Sequence, residues 1–576
     1  MTKVRMAAAG LAAVTVMAAV LAVPSTAQPQ PGPAGFDAFR GDRGYGWAGQ
    51  TRSEMLARHG IVATSQPLAA DAGLDILKAG GNAFDAAVAT AAVLNVVEPN
   101  SAGLGADMFV IAWSAKDRKL VALDGAGRAP AGFTPDRFRG KGLTRMPNAG
   151  IDSAVVPGAV DGWDVLLKRY GTMGFKQVLE PAARIAEEGY GVTERIQHEW
   201  AGAQKLLSAD PDSVRTYLPG GKAPAMYQIF RNPDLARALR LLEAGGRDVF
   251  YKGEIARAIV AKSQATGGAI TMDDLAGIRA RWVTPITTKF HGYDLYQMPP
   301  STQGFAVLEM MNVLDVCAPK LGIAPDPKSA AYWHLMVEAK KLAYADLERW
   351  DGDPDFSKVP TDRLVSKAYA AELCARIDPN HASALKPASD PIGGTVYISV
   401  ADRFGNVVSF IYSVYGEFGS GVTIPGYGFI LNNRAANFVL DPNSPNVVAP
   451  RKRPFYTLIP GFVMKDGKPL LSFGVMSGDQ QAQGQAQVLA NMLLFGANPQ
   501  AASDAARFSH AQRTNKLVLE SQLYAAIGEK LKAMGHDVAP GNGVRMGGYQ
   551  AIMIDPETGL LRGGSDHRKD GVAIGY

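Results

Sequence analysis

The chain has 576 residues, 47% apolar and 20% charged, with a formal net charge of +5 and only two cysteines. That is enough apolar material for two domains or one large layered body, and no tract has the charge density and low hydrophobicity of a disordered tail. The basic residues form no patch, which argues against nucleic acid as a partner, and a fold of this size does not depend on a Cys317–Cys374 pair.

In chain order, Lys3 and Arg5 precede an apolar run from Met6 to Val23, and Ser25-Thr26-Ala27 supplies small residues for a signal peptidase. Residues 1–27 therefore read as a cleaved secretory signal, which implies a periplasmic or secreted protein and leaves a net charge of +3 once Lys3 and Arg5 are gone. An uncleaved membrane anchor is the alternative, disfavoured by Gly10, the many alanines and Pro24, and no later stretch is apolar enough to span a bilayer. Residues 28–50 read as an arm. From Pro67 to Val97 the period is helical, with a break at Gly80-Gly81-Asn82 and a second helix apolar on nearly every side. Phe109–Trp113 and Leu120–Leu123 read as a strand pair. Residues 155–350 read as mostly helical, including Val178–Glu188. A helix near Ser366–Ile377 then leads into a polar linker over Lys386–Gly394. From Thr395 the pattern alternates: Val396–Val400, a turn over Asp402–Asn406 and Val407–Tyr415 form a hairpin. Strands over Phe429–Leu431, Ile459–Met464 and Leu470–Val475, and helices over Gln485–Phe495 and Ser521–Met534, complete a layered α/β body.

Gly393-Gly394-Thr395 places a threonine where a loop enters a strand. Cleavage before it would put a hydroxyl and a free α-amine on one residue. An amine of pKa near about 8 accepts the hydroxyl's proton without a histidine. By itself the triplet is weak, since most such sequences are turns entering strands. Other chemistries have less support. There is no Gly-x-Ser-x-Gly elbow, and Ser383-Ala384-Leu385-Lys386 lacks the partner motifs of penicillin-binding enzymes. Gly541-x-Gly543 has its next glycine at 547, one place too late for a dinucleotide fingerprint, and no Walker loop occurs. The eight histidines show no metal-ligand spacing. No metal and no cofactor is expected.

Several longer motifs agree in order with one family. Gly60-Ile61-Val62-Ala63-Thr64-Ser65, Gly80 to Val88, Val97-Glu98-Pro99, Gly103-Leu104-Gly105, Pro157 to Trp163, Met298-Pro299-Pro300, Gly352 to Phe356 and Ser565-Asp566-His567-Arg568 together resemble the γ-glutamyltranspeptidase family from about residue 55 to the end. Thr395, Ser399, Val400, Asp402, Gly405 and Asn406 fit the pattern with which its catalytic subunit begins. The resemblance implies an N-terminal nucleophile hydrolase with an αββα sandwich, cut between Gly394 and Thr395 into a large subunit (28–394) and a small catalytic subunit (395–576) that stay one folded domain. It implies Thr395 as nucleophile, Ser413 as the hydroxyl that orients it, and backbone N–H groups at Ser477-Gly478 as oxyanion donors.

The family's substrate-holding residues are altered here. An asparagine becomes Tyr415, the groups that receive an α-ammonium become Arg434 and Asn437, and a serine pair becomes Tyr456-Thr457. The arginine that grips an α-carboxylate aligns with Ala126, although Arg128 lies two residues on. A guanidinium in place of acidic or neutral acceptors repels an ammonium and attracts a carboxylate. The segment Asp441–Pro450 is shorter than the family's lid, so an open, wet cleft is expected. This pattern resembles the glutathione-hydrolase-like branch. It implies a small-molecule amide substrate with a γ-glutamyl or related anionic acyl group. The alternatives are a cephalosporin-acylase-like (glutaryl) amidase or a catalytically silent scaffold. A homo-oligomer is possible.

Overall fold

Two seven-stranded antiparallel sheets lie face to face in the computed structural model, which describes residues 50–384, 393–541 and 546–576. The leader, most of the arm and most of the linker fall outside the described residues. The first sheet runs Val572–Gly575, Ile61–Thr64, Val396–Ala401, Val407–Ser413, Asp107–Ser114, Lys119–Gly125, Arg281–Val283. The second runs Met55–Ala57, Leu561–Ser565, Tyr549–Ile554, Lys468–Val475, Gly461–Lys465, Tyr293–Gln297, Ile286–Phe290.

The period of two in each strand divides its side chains between two cores. Ile61, Ala63, Phe109, Ile111, Tyr397 and Ile411 face the second sheet's Phe462, Met464 and Ile552. Val62, Val110, Ile398 and Phe410 face outward beneath the helices Pro67–Lys78, Ala83–Val97, Ala159–Tyr170 and Phe175–Glu188. On the other side Leu295, Val463, Leu471 and Phe473 carry the helices Gly304–Lys320, Ala330–Trp350 and Gln480–Leu493. The result is a four-layer αββα sandwich. Helix Ala83–Val97 is buried along its whole length, as its apolar sequence requires, and Asn82 with Asp85 closes a capping box at its start.

The hairpin beginning at Thr395 occupies the middle of the first sheet. Its first strand pairs with Ile61–Thr64 on one side and its second with Asp107–Ser114 on the other. Asp402 closes the turn by accepting the N–H groups of Phe404 and Asn406, both at 2.9 Å, and its other oxygen takes the Ala83 N–H at 2.8 Å. One turn residue therefore also anchors the N-terminus of the buried helix. Between the sheets, Tyr397 and Ser399 share a hydroxyl network with Ser409 and Ser472, at 2.6 to 3.1 Å, that fixes the hairpin against the second sheet.

Some elements depart from expectation. Three strands between Arg281 and Gln297 interrupt a stretch read as helical, because strands this short leave too few residues to display alternation. Phe429–Leu431 makes only isolated bridges, at Ile430 and Leu431. The helix expected over Ser521–Met534 is divided by a π turn at Tyr524–Gly528. The helix expected from Gln485 begins five residues earlier, at Gln480.

Candidate active site

Thr395 sits at the head of a central strand, 1% exposed, with its hydroxyl donating to the Gly394 carbonyl oxygen at 2.5 Å. Ser413, at the end of the neighbouring strand, donates to the same oxygen at 2.7 Å and accepts the Tyr415 N–H at 2.7 Å. Because that N–H occupies the serine's acceptor side, its proton is directed to the carbonyl. Two hydroxyls thus converge on one peptide oxygen, which withdraws electrons from the carbon that a nucleophile at Thr395 would attack. Glycine is required two residues before Thr395: a Cβ at Gly393 would stand 2.7 Å from the Tyr415 carbonyl oxygen and 3.0 Å from its ring.

Ser477 and Gly478 both take left-handed backbone angles, with φ of 79° and 53°. For a serine this is a strained conformation, and such strain collects at functional turns. Their carbonyls are held by Gln480 N–H, Gln481 N–H and Gln303 Nε2, which fixes the peptide planes. The helix Gln480–Leu493 starts immediately after, placing the positive end of its dipole at the site.

Arg434, on the short turn Arg434–Asn437, is 0% exposed. Its guanidinium lies between the rings of Tyr415 and Tyr456, 4.5 and 4.9 Å from their centroids, and Nη1 donates to Thr457 Oγ1 at 3.3 Å. Nε and Nη2 have no hydrogen-bond partner, and the nearest acid, Asp107, stays 3.9 Å away with its own Oδ2 unpartnered. The other Asp107 oxygen accepts the Gly127 and Gly158 N–H groups at 2.7 and 3.2 Å. Burial pushes the Asp107 carboxyl up to about 7 in spite of the opposing Arg434 charge. Below that pH Arg434 is a buried cation without an ionised counterpart.

The remaining predicted residues are placed as follows. Tyr456 donates to the Gly127 carbonyl at 3.0 Å, while Asn437 donates to the Phe455 carbonyl at 3.0 Å and accepts from Asn446. Arg128 faces Asp355 at 3.7 Å, in a network that also holds Arg281, Arg453 and Asp353, so its charge is shared with acids outside the Arg434 pocket. The loop after Val439 is pinned by Lys452 Nζ to the carbonyls of Pro445 and Val447, and Thr395 and Arg434 are both buried. Cys317 and Cys374 are unbonded in the core outside the second sheet. Away from the nucleophile, His334, Glu338 and His536 bring ligand-type atoms within 4.8 Å of one another, a cluster that sequence spacing hides. His334 bonds His536 and the Asp378 carbonyl, each at 2.8 Å, and Lys341 holds Glu338, so these groups are engaged internally. The residue sequence reasoning missed beside Thr395 is Gln481, whose Nε2 lies 3.4 Å from Thr395 Oγ1.

A profile of the family described as Gamma-glutamyltranspeptidase matches residues 69–576. The chain is 38% identical to a glutathione hydrolase-like YwrD proenzyme of Bacillus subtilis over 527 residues, 89% of this chain and 98% of that protein. It is 34% identical to an oxamate amidohydrolase proenzyme of Klebsiella pneumoniae, covering 91% of this chain and 100% of that one. The crystal structure of a cephalosporin acylase from Bacillus halodurans superposes with a TM-score of 0.86 at 39% identity, covering 93% of this chain and 99% of that one.

Proposed function

The chain belongs to the gamma-glutamyltranspeptidase family, a family of autoprocessed N-terminal nucleophile amidohydrolases and transferases, and on that premise we propose that Thr395 is its nucleophile and Arg434 selects acyl groups bearing a carboxylate. In the intact chain the Thr395 hydroxyl attacks the Gly394 carbonyl carbon. The C–N bond breaks as the nitrogen is protonated, and the chain is joined through an ester. Water then releases the Gly394 carboxylate and leaves Thr395 with a free amine. In turnover that amine takes the hydroxyl's proton, Oγ1 attacks the substrate amide, the proton passes to the departing amine, and water or an acceptor amine resolves the acyl-enzyme. Ser413 polarises the carbonyl during maturation, and the N–H groups at Ser477-Gly478 serve the oxyanion during turnover.

The observation that carries the acyl preference is the Arg434 guanidinium, buried between two tyrosines with two N–H groups unpartnered. A planar carboxylate satisfies such a pair. Oxamate, which names one relative's activity, and a γ-glutamyl group both carry a carboxylate on the acyl side. A glutaryl-type acyl group is the second reading, consistent with the cephalosporin acylase relationship, and both predict the same charge selectivity. The protein is further proposed to be exported by the leader at residues 1–27 and to work as a large subunit (28–394) with a small one (395–576).

The test is direct. Purified protein is resolved by denaturing electrophoresis, its smaller fragment is sequenced from the amino end, and release is measured from γ-glutamyl-, glutaryl- and butyryl-p-nitroanilide. A fragment beginning at Thr395 is expected, with glutaryl, which bears a carboxylate and no ammonium, released faster than butyryl. A split protein that prefers butyryl overturns the acyl assignment, and an unsplit, inactive chain that behaves like Thr395→Ala favours a scaffold.

A further inference from the structure

We infer that Gln481 acts on the nucleophile itself, its side-chain amide donating a hydrogen bond to Thr395 Oγ1 and so governing that oxygen's charge and the path of its proton. This rests on the assignment of Thr395 as nucleophile.

The amide is 0% exposed, and its orientation follows from its neighbours. Gln481 Oε1 accepts the Ile459 N–H at 3.2 Å, which turns the NH2 group toward Thr395, where Nε2 stands 3.4 Å from Oγ1. One helical turn on, Gln485 donates to the Ile459 carbonyl at 2.6 Å, so two glutamines spaced by four satisfy both main-chain groups of one residue. The same device docks the rest of the helix. Gln483 accepts the His510 N–H at 2.8 Å and donates to its carbonyl at 3.4 Å, and Gln487 does the same for Phe508 at 2.8 and 3.1 Å. Residues four apart on the helix thereby pair with residues two apart on the strand Phe508–Ala511, as a further strand would. Gln481 is held in place by this row of amides.

A threonine hydroxyl has one proton and two lone pairs. In the intact chain the proton points to the Gly394 oxygen and Gln481 occupies one lone pair, which leaves the other for the carbonyl carbon. When an acyl-enzyme breaks down, the C–Oγ1 bond opens and the electron pair returns to Oγ1. An N–H already aimed there stabilises that charge until a proton arrives.

Three variants test the assignment: Gln481→Met, which removes both functions of the amide at similar length; Gln481→Glu, which keeps an acceptor for Ile459 and puts a carboxyl oxygen in place of the donating NH2 group; and Gln487→Met, a docking amide away from Thr395. Splitting of freshly made precursor is followed by electrophoresis. In mature protein kcat and KM are measured on whichever p-nitroanilide the wild type cleaves. Both Gln481 variants are expected to slow splitting and lower kcat roughly 30- to 300-fold with KM within about threefold, and Gln487→Met to stay within about threefold in both. A folded Gln481 variant that splits within threefold of wild type overturns the inference, as does a Gln487→Met that is slowed equally. Failure of the wild type to split before Thr395 strikes the functional proposal instead.

Discussion

Replacing Arg434 with methionine separates two roles that a buried arginine can play. If Arg434 served chiefly as the structural partner of Asp107, removing it would strand a buried carboxylate and cost about 3–5 kcal/mol of stability. The geometry argues otherwise. The closest approach is 3.9 Å, neither Nε nor Asp107 Oδ2 has a hydrogen-bond partner, and the Asp107 carboxyl, pushed up to about 7, is largely protonated at pH 6. A methionine also packs well between the Tyr415 and Tyr456 rings. The expected stability loss at pH 6 is therefore small, roughly 1 kcal/mol or less, read as an unfolding midpoint in urea. Function should respond more strongly. Two unpartnered N–H groups offered to a carboxylate are worth about 1.5 kcal/mol each, so about 3 kcal/mol of transition-state binding is lost, roughly 150-fold in kcat/KM. The loss should appear with glutaryl-p-nitroanilide, whereas butyryl-p-nitroanilide, with no charge to read, should change less than about threefold. Equal losses on both substrates, or a several-kcal/mol destabilisation with unchanged selectivity, would refute the reasoning.

Because Asp107 gains its charge as pH rises through about 7, it then competes for Arg434, and inhibition by free glutarate should weaken across that range, a trend that Asp107→Asn should flatten while keeping the bonds to Gly127 and Gly158. Ser413→Ala should slow splitting of the precursor about 100-fold by removing one of two donors to the Gly394 oxygen, measured by electrophoresis over time, with Ser413→Thr restoring most of the rate. Glu309 is fully buried beside Asp346, and burial followed by that neighbouring acid holds its carboxyl well above the usual range. Below about pH 4 it is protonated in both folded and unfolded chains; as pH rises further only the unfolded chain releases the proton, so stability falls. Glu309→Gln should therefore flatten the decline in unfolding midpoint between about pH 5 and 8, and an unchanged slope would count against the assignment.

How far the sequence revealed this site depended on how local each signal was. The hairpin at Thr395, its Asp402 turn and the apolar helix Ala83–Val97 are written in short-range patterns, and they stand where alternation and capping residues place them. The sandwich followed from those patterns together with a long collinear resemblance. Residues whose task is set by distant partners were harder to read. Arg128 and Arg434 look alike as isolated basic residues, yet one faces Asp355 near the surface and the other lies between Tyr415 and Tyr456, which are far apart in the chain. Gln481 lies ahead of the helix expected from Gln485, and only the facing strand and Ile459 explain why the glutamine side chains there are buried.

The placement of the hairpin has a further consequence for how the protein ages. The proposed break before Thr395 would open the chain at the middle of a sheet, with the strands that flank the hairpin on either side supplied by the other fragment. The precursor has a covalent tether that brings those strands together; the cut pair would have to find each other in solution and thread a finished hairpin back between two other strands. Maturation is in this sense a one-way door: once both fragments unfold, the information for assembling them is no longer carried on one chain. The working lifetime of the cut protein is then governed by how fast it first opens, and the relevant quantity is an inactivation half-time, not a reversible midpoint.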